Sequence, residues 1–251
     1  MSAVLPRAVW LILLLFSAYR EVSPIDAREI ARKLDNMYRS DSSFSEMAME
    51  VTTPDWARTL EMQVWTAGTD KTLVRILEPK KERGVGTLRI GNEMWNYFPR
   101  VNKIMKIPPS MMMSSWMGSD FTNDDLVREF TLMKDFDFKL VRPEGAQDDL
   151  LYLEARPKEG VPVVWSRILA AVRAADLIPV WEEYYDDRDA RMRRMDFSDL
   201  RKFGSREVPA TLTLVPANKK GNKTVLRYKV IQFDPGVDDS IMTLRNLRTF
   251  K

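Results

Sequence analysis

Residues 89–129 read RIGNEMWNYFPRVNKIMKIPPSMMMSSWMGSDFTNDDLVRE. The first half of this stretch alternates. Residues 85–90 predict a strand, Gly91-Asn92 a turn and Glu93–Phe98 the returning strand. Pro99-Arg100-Val101-Asn102 turns the chain again into Lys103–Ile107. Short strands joined by such turns predict an antiparallel meander. Then the series breaks. Between two prolines and an acidic helix start lie Met111, Met112, Met113, Trp116, Met117 and Phe121. Methionine is unbranched and polarizable, so it repacks around guests of different shape. A mobile apolar segment laid over a sheet predicts a lid on an apolar cavity. A core helix with extra methionine is the alternative reading.

The same alternation extends in both directions. Upstream, Met47, Met49, Val51 and Thr53 share one face, and Leu60, Met62, Val64 and Thr66 repeat the pattern. Val74 and Ile76 share a face of the next strand. Downstream, strands are predicted at 136–142, 149–156, 180–186, 191–197, 208–215 and 224–233, the last two joined by the turn sequence PANKKGNK. Residues 163–177 stay open: Trp165, Ile168, Leu169 and Val172 fit a helical stripe, yet they sit inside a β series. Before the strands, Ala27, Ile30, Ala31, Leu34, Met37 and Tyr38 make one apolar helical stripe, with Ser23 as its expected cap. Asp41-Ser42-Ser43 is read as the end of that helix. Several strands are apolar on both faces, so both faces are expected to be covered. The expected cavity wall is Met49, Met62, Val64, Trp95, Phe98 and Met105.

Composition narrows the chemistry. The chain of 251 residues has no cysteine and no histidine. Disulfides, thiolate nucleophiles and the commonest general base are therefore excluded. The 39 basic and 36 acidic residues are interleaved, which argues against a nucleic-acid groove. Gly84-x-Gly86 leads into a strand rather than a helix and reads as a turn, not a nucleotide loop. The pairs Asp124-Asp125, Asp148-Asp149, Asp186-Asp187 and Asp238-Asp239 read as turn or helix-start residues. No catalytic residue, metal ligand or cofactor is expected. Arg7, the apolar run Ala8–Phe16 and the small residues Ser17 and Ala18 have the layout of a secretory signal peptide over 1–18. A single domain over 19–251 follows.

The segment 89–129, Trp181-Glu182-Glu183-Tyr184-Tyr185-Asp186, KKGNKTVLRY and DDSIMTLRNL together resemble the LolA-like outer-membrane lipoprotein-sorting proteins of the bacterial envelope, in an uncharacterised branch. The resemblance implies a mainly β (α+β) fold: a strongly curved, unclosed antiparallel β-barrel with helices over its concave face. It also favours strand for residues 165–174. Family members carry acyl chains through the periplasm in that hollow, and this branch is often associated with RND-type rather than ABC exporters. The implied partners are lipid or lipoprotein acyl chains, an inner-membrane exporter and an outer-membrane acceptor, with the protein itself a monomer. One departure matters. The sorting proteins proper carry an arginine just after the strand that reads here as Val64-Trp65-Thr66-Ala67, and this chain does not. Neither Arg75 nor Arg89 is marked as its replacement.

A carrier must bind lipid about as well as a bilayer does. At about 0.8 kcal/mol per methylene, a chain with ~14 buried carbons gains roughly 11 kcal/mol over water. An empty apolar hollow loses packing contacts. A lid of Met111, Met112, Met113, Trp116 and Met117 that fills the hollow and swings aside for cargo would address both problems. The competing expectation is a periplasmic adaptor that binds an exporter without carrying lipid. A hydrolase is the third, disfavoured by the absence of histidine and cysteine.

Overall fold

Thirteen antiparallel strands form one sheet in a computed structural model that describes residues 26–128, 132–161 and 163–249. The signal segment and the Ser23 cap lie outside the described residues. Strands β1 (Ser42–Thr52), β2 (Ala57–Ala67), β3 (Lys71–Glu78), β4 (Gly86–Ile90), β5 (Glu93–Phe98) and β6 (Lys103–Lys106) run as a meander. A second meander comprises β7 (Phe136–Val141), β8 (Leu150–Pro157), β9 (Arg167–Arg173), β10 (Pro179–Tyr185), β11 (Arg191–Phe203), β12 (Arg206–Pro216) and β13 (Lys223–Phe233). The two halves join where β13 pairs with β1, with Met49 opposite Leu226. The sheet therefore ends at β6 and β7, which do not pair with each other, and the barrel is not closed. The methionine-rich segment is the connection between these two edges. It contains 3₁₀ turns at Pro109–Met111 and Trp116–Gly118.

The sheet curls strongly. Val74 on β3 and Phe136 on β7 line one cavity of about 230 Å³, although their strands are nine places apart in the sheet order. In a flat sheet, at about 4.8 Å per strand, nine places span roughly 43 Å. Only curvature brings such residues around one hollow.

Helix α1 (Ala27–Asp35) begins at Asp26, whose carboxylate accepts a hydrogen bond from the Arg28 amide at 3.1 Å. Such a cap satisfies an amide that no helical carbonyl can reach. Ile30 and Ala31 pack on Leu153 of β8 and on Ala170 and Val172 of β9. Met37 and Tyr38 lie beyond the helix end yet keep facing the sheet, where the Tyr38 ring stacks on Tyr228 with centroids 4.9 Å apart. Past the 3₁₀ turns, the connection contains α2 (Asn123–Arg128) and α3 (Leu132–Asp135). These elements cover the concave face. The opposite face of the first meander is apolar too, and the carboxy-terminal α4 (Leu244–Thr249) covers it. There Met242 and Leu247 pack on Leu73, Leu88 and Tyr97.

One local reading is corrected and one left open is decided, on the side that the resemblance favoured. Residues 42 and 43 do not end the helix; they open β1, and the Ser43 hydroxyl lies 2.6 Å from that of Thr66 on β2. Serines on the inner face hid the alternation from a hydrophobic pattern. Residues 167–173 are strand, not helix. Ile168, Leu169, Ala170, Ala171 and Val172 are all buried because β9 is covered on both faces. An unbroken apolar run fits either period.

Candidate functional site

The concave cavity is walled by strands from both meanders and roofed by α1 and the methionine-rich connection. Of the residues expected at the site, Met49, Met62, Val64, Trp116 and Phe121 line it. Met112, Met117 and Phe98 are half-buried against the same core without lining the cavity.

The others lie elsewhere. Met111 and Met113 are 44% and 51% exposed. The 3₁₀ turns direct them outward, so they do not fill the hollow as the lid expectation required. Met105 is 42% exposed because β6 is an edge strand with no neighbour beyond it. Trp95 faces the opposite side of the sheet, among Leu88, Tyr97 and Ile104, with the Lys106 ammonium 5.7 Å from its ring. Trp95 and Phe98 are three residues apart on one strand. Side chains alternate between faces, so both cannot look into one hollow.

The adaptable methionines at the cavity belong mainly to its walls. Met37, Met47, Met49, Met62 and Met195 line it. The connection contributes Trp116, Phe121 and Leu126.

Among the described residues, side chains at three positions, Trp116, Asp120 and Asp125, tie that connection to the sheet. Trp116 is 3% exposed, and its indole Nε1 donates to Thr87 Oγ1 at 3.1 Å. Thr224 Oγ1 accepts from the Asp120 amide at 3.0 Å and donates to the Asp120 carboxylate at 2.8 Å. The third position is Asp125. Its carboxylate accepts from the Thr122 amide at 2.7 Å while the Thr122 hydroxyl accepts from the Asp125 amide at 3.1 Å, a reciprocal cap on α2. The same carboxylate accepts both Nη groups of Arg193 on β11, at 2.7 and 2.6 Å. Within the connection, Met117 and Gly118 adopt left-handed backbone (φ 50° and 70°). The Trp116 amide donates to the Phe121 carbonyl at 2.8 Å, closing a compact loop. The segment is thus hydrogen-bonded and pinned, unlike the loose flap expected.

Arg193 is the polar hub that the sequence reading missed. Its guanidinium lies 4.4 Å from the Trp165 ring centroid and 4.2 Å from that of Tyr184. Burial works against its charge, but Asp125 more than offsets this and holds the pKa above the ordinary arginine value. Burial likewise opposes ionisation of Asp125, yet Arg193 holds that carboxyl below the usual range. Beside them, Tyr184 donates to Glu182 Oε2 at 2.6 Å. Burial pushes the Glu182 carboxyl up despite that bond.

A second polar row lies on β1–β3. Ser43, Thr66 and Thr72 line the cavity there together with Arg39, whose Nη1 and Nη2 donate to the Gly68 carbonyl and Thr72 hydroxyl at 3.1 Å each. Asp35 lines the cavity beside them, its pKa pushed up to about 6 by burial against the opposing charge of Arg39. Arg75 points away from the cavity, donating to carbonyls of Gly84, Asn246 and Leu247 and so fixing α4. Arg89 donates to the Gly91 and Thr69 carbonyls at the strand ends. Neither touches the connection in these bonds. Among the described residues no three His, Cys, Asp or Glu side chains group to hold a metal. Nor, among them, is any helix long and apolar enough to cross a membrane.

The fold is shared with solved structures. A DUF1329 family protein from Desulfovibrio piger superposes with a TM-score of 0.79 at 23% identity, covering 88% of this chain and 97% of that one. A LolA superfamily protein from Nitrosomonas europaea gives 0.74 at 24% identity, covering 89% and 100%. A domain described as outer membrane lipoprotein-sorting, from Vibrio parahaemolyticus, gives 0.74 at 19% identity with the same coverage. No curated protein matches the chain. A family model described as that of an uncharacterized protein matches residues 68–249. The curled open sheet, its roofed hollow and this match agree: the chain belongs to a LolA-like family.

Proposed function

We propose that the protein is a periplasmic carrier that holds acyl chains of a lipoprotein or another lipid in the concave cavity and moves them between membranes. The observation that carries this reading is a roofed apolar hollow lined by five methionines, four of them on its strand walls. Met112 and Met117, beside it, and Met111, Met113, Met105 and Trp95, farther off, are secondary to these walls. The Vibrio parahaemolyticus domain of the same fold, described as outer membrane lipoprotein-sorting, supports the same reading.

The cavity of about 230 Å³ falls below the ~300–1,000 Å³ typical of small-molecule pockets. A long chain enters only if the walls and roof yield. Methionine side chains yield easily, having three rotatable bonds and no branch. The roof yields only by giving up the tethers at Trp116, Asp120 and Asp125. Those contacts set a threshold that keeps the hollow shut in water and lowers net affinity toward that of a bilayer. An inner-membrane exporter of the RND or ABC type would deliver cargo to the monomeric carrier, and an outer-membrane acceptor would receive it.

Native mass spectrometry of the purified protein, with displacement of a fluorescent fatty-acid probe, tests this. Copurified lipid or saturable displacement is expected. A clean apo mass with no probe binding would instead favour an adaptor that contacts an exporter without carrying lipid.

A further inference from the structure

One end of the sheet is basic. The turns that follow β12, β1, β3 and β5 all lie there, at residues 217–222, 53–56, 79–85 and 99–102. Contacts run from each to the next. A Cβ on Gly221 would stand 3.1 Å from Pro54, Arg58 pairs with Glu82 at 3.5 Å, and a Cβ on Gly84 would stand 3.6 Å from Pro99. The four turns hold Lys80, Lys81, Arg83, Arg100, Lys219 and Lys220 against Asp55 and Glu82. All six basic side chains are exposed. Arg83 pairs with Glu78, and the other five form no ion pair with the described residues. Turns and loops at the opposite end of these strands, 68–70, 91–92, 204–205 and 234–238, contain Asp70, Asp234 and Asp238 and no lysine or arginine. The turn at 186–190, next along the basic end, carries three aspartates and one arginine and bounds the patch on that side. Two apolar side chains belong to the same turns: Trp56 is 44% exposed and Val101 68%.

We propose that this end of the sheet docks on an anionic phospholipid bilayer. Cations spread over several turns suit a diffuse negative surface, which attracts each one separately and demands no fixed geometry. Four of the six are lysines, whose flexible stems keep a hydrated charge at such a surface, whereas arginine forks suit the fixed carboxylates of a protein partner. An exposed tryptophan fits the headgroup layer, where part of the ring meets apolar chains and part meets water. The roof of the hollow abuts this end. Arg58 Nη2 lies 3.0 Å from where a Cβ on Gly118 would stand, and Asn222 Nδ2 donates to the Asp120 carboxylate at 3.5 Å. Docking therefore sets the connection beside the headgroups, where a carried lipid would leave the bilayer. The docking surface stands on observations separate from the carrier reading, and it serves that reading.

The test sediments the secreted chain with phosphatidylcholine vesicles, either pure or with about one lipid in four replaced by phosphatidylglycerol. Binding is expected to the mixed vesicles and should fall as salt screens the charges. Each lysine lost should weaken it about fivefold, so K80Q, K81Q, K219Q and K220Q combined should weaken it more than ~100-fold. These side chains are exposed, and unchanged urea unfolding of the combined variant checks that the fold is kept. The chain has no cysteine, so a single introduced one can carry a polarity-sensitive dye. Labelled Val101→Cys should shift to the blue on mixed vesicles, and labelled Asn92→Cys, at the opposite end, should not. Equal sedimentation with both kinds of vesicle overturns the proposal. So does sedimentation with neither, which assigns the basic end to an acidic protein. Undiminished binding of the combined variant, or a blue shift at residue 92 and not at 101, overturns the assignment to this end. A fatty-acid probe read in the same preparation without vesicles keeps the fate of the carrier reading a separate result.

Discussion

Arg193 and Asp125 form a forked ion pair, with contacts of 2.6 and 2.7 Å, between residues 68 positions apart in sequence. One end is fixed in the sheet and flanked by two aromatic rings. The other caps the short helix that roofs the cavity. Losing either partner leaves a charge stranded in the interior. Arg193→Ala is expected to cost about 3–5 kcal/mol in urea unfolding. Arg193→Lys should recover little, because an ammonium cannot reproduce the planar fork or the ring stacking. A double-mutant cycle with Asp125→Ala should show strong non-additivity. Simple addition of the two losses would mean that the pair is not the tether described.

The roof can be divided by substitution. Trp116 fills space and donates to Thr87, so Trp116→Ala should cost about 3–5 kcal/mol and weaken closure of the cavity. Met111→Ser and Met113→Ser touch exposed side chains and should stay within about 0.5 kcal/mol of the native protein. Lipid-probe affinity should follow the same division, changing for Trp116 and not for the exposed pair. A large loss of probe binding in Met113→Ser would restore it to the cavity.

Asp35 gives the protein a pH signature opposite to the usual carboxylate. Its folded pKa of about 6 lies above the ordinary 3.8, so the native state holds that proton more tightly than the unfolded chain. The associated stability is complete below pH 3.8 and fades as pH rises through about 6. Asp35→Asn mimics the protonated form. It should therefore be more stable than the native protein above pH 6, by on the order of 3 kcal/mol at most, with the difference closing below pH 4. Asp125, whose pKa is lowered, works in the opposite sense in both proteins and cancels in the comparison. Urea midpoints for the two proteins across this range supply the measurement. A difference independent of pH would show Asp35 to be unperturbed.

Gly86 tests the cover on the other face. A Cβ placed there would lie 2.7 Å from Leu247 Cδ1 and 3.0 Å from Arg75 Nη1. Gly86→Ala is expected to lose about 1–3 kcal/mol through overpacking against α4. Leu247→Ala alone should lose about 2–5 kcal/mol by leaving a void. Together they should cost less than their sum, since the new methyl occupies part of that void. Equal or greater cost would place the strain elsewhere.

The strands, their turns and the interruption at 107–129 were legible because a period of two and turn residues are local properties. The family resemblance supplied what periodicity did not, the curled open sheet and the strand at 167–173. The site was less legible. Alternation alone separates Trp95 from Phe98, but it does not say which face is concave. Met105 shares the inner pattern, and only the edge position of β6 leaves it in solvent. Met111 and Met113 look like lid residues by composition, while the 3₁₀ turns around them decide where they point.

Sequence by itself thus determined that this chain makes an antiparallel sheet with apolar residues to spare on both faces and a methionine-rich crossing between strands. Tertiary structure decided which side chains meet across the hollow. Arg193 and Asp125 carry no local mark of partnership. Their pairing arises because curvature brings β11 beneath α2, and a charge in a half-dry interior is stable only where a partner stands at bonding distance. The wall methionines and the carboxyl of Asp35 became lining residues for the same reason. A local pattern fixes the face a side chain takes, and the closing of the sheet fixes what that face encloses.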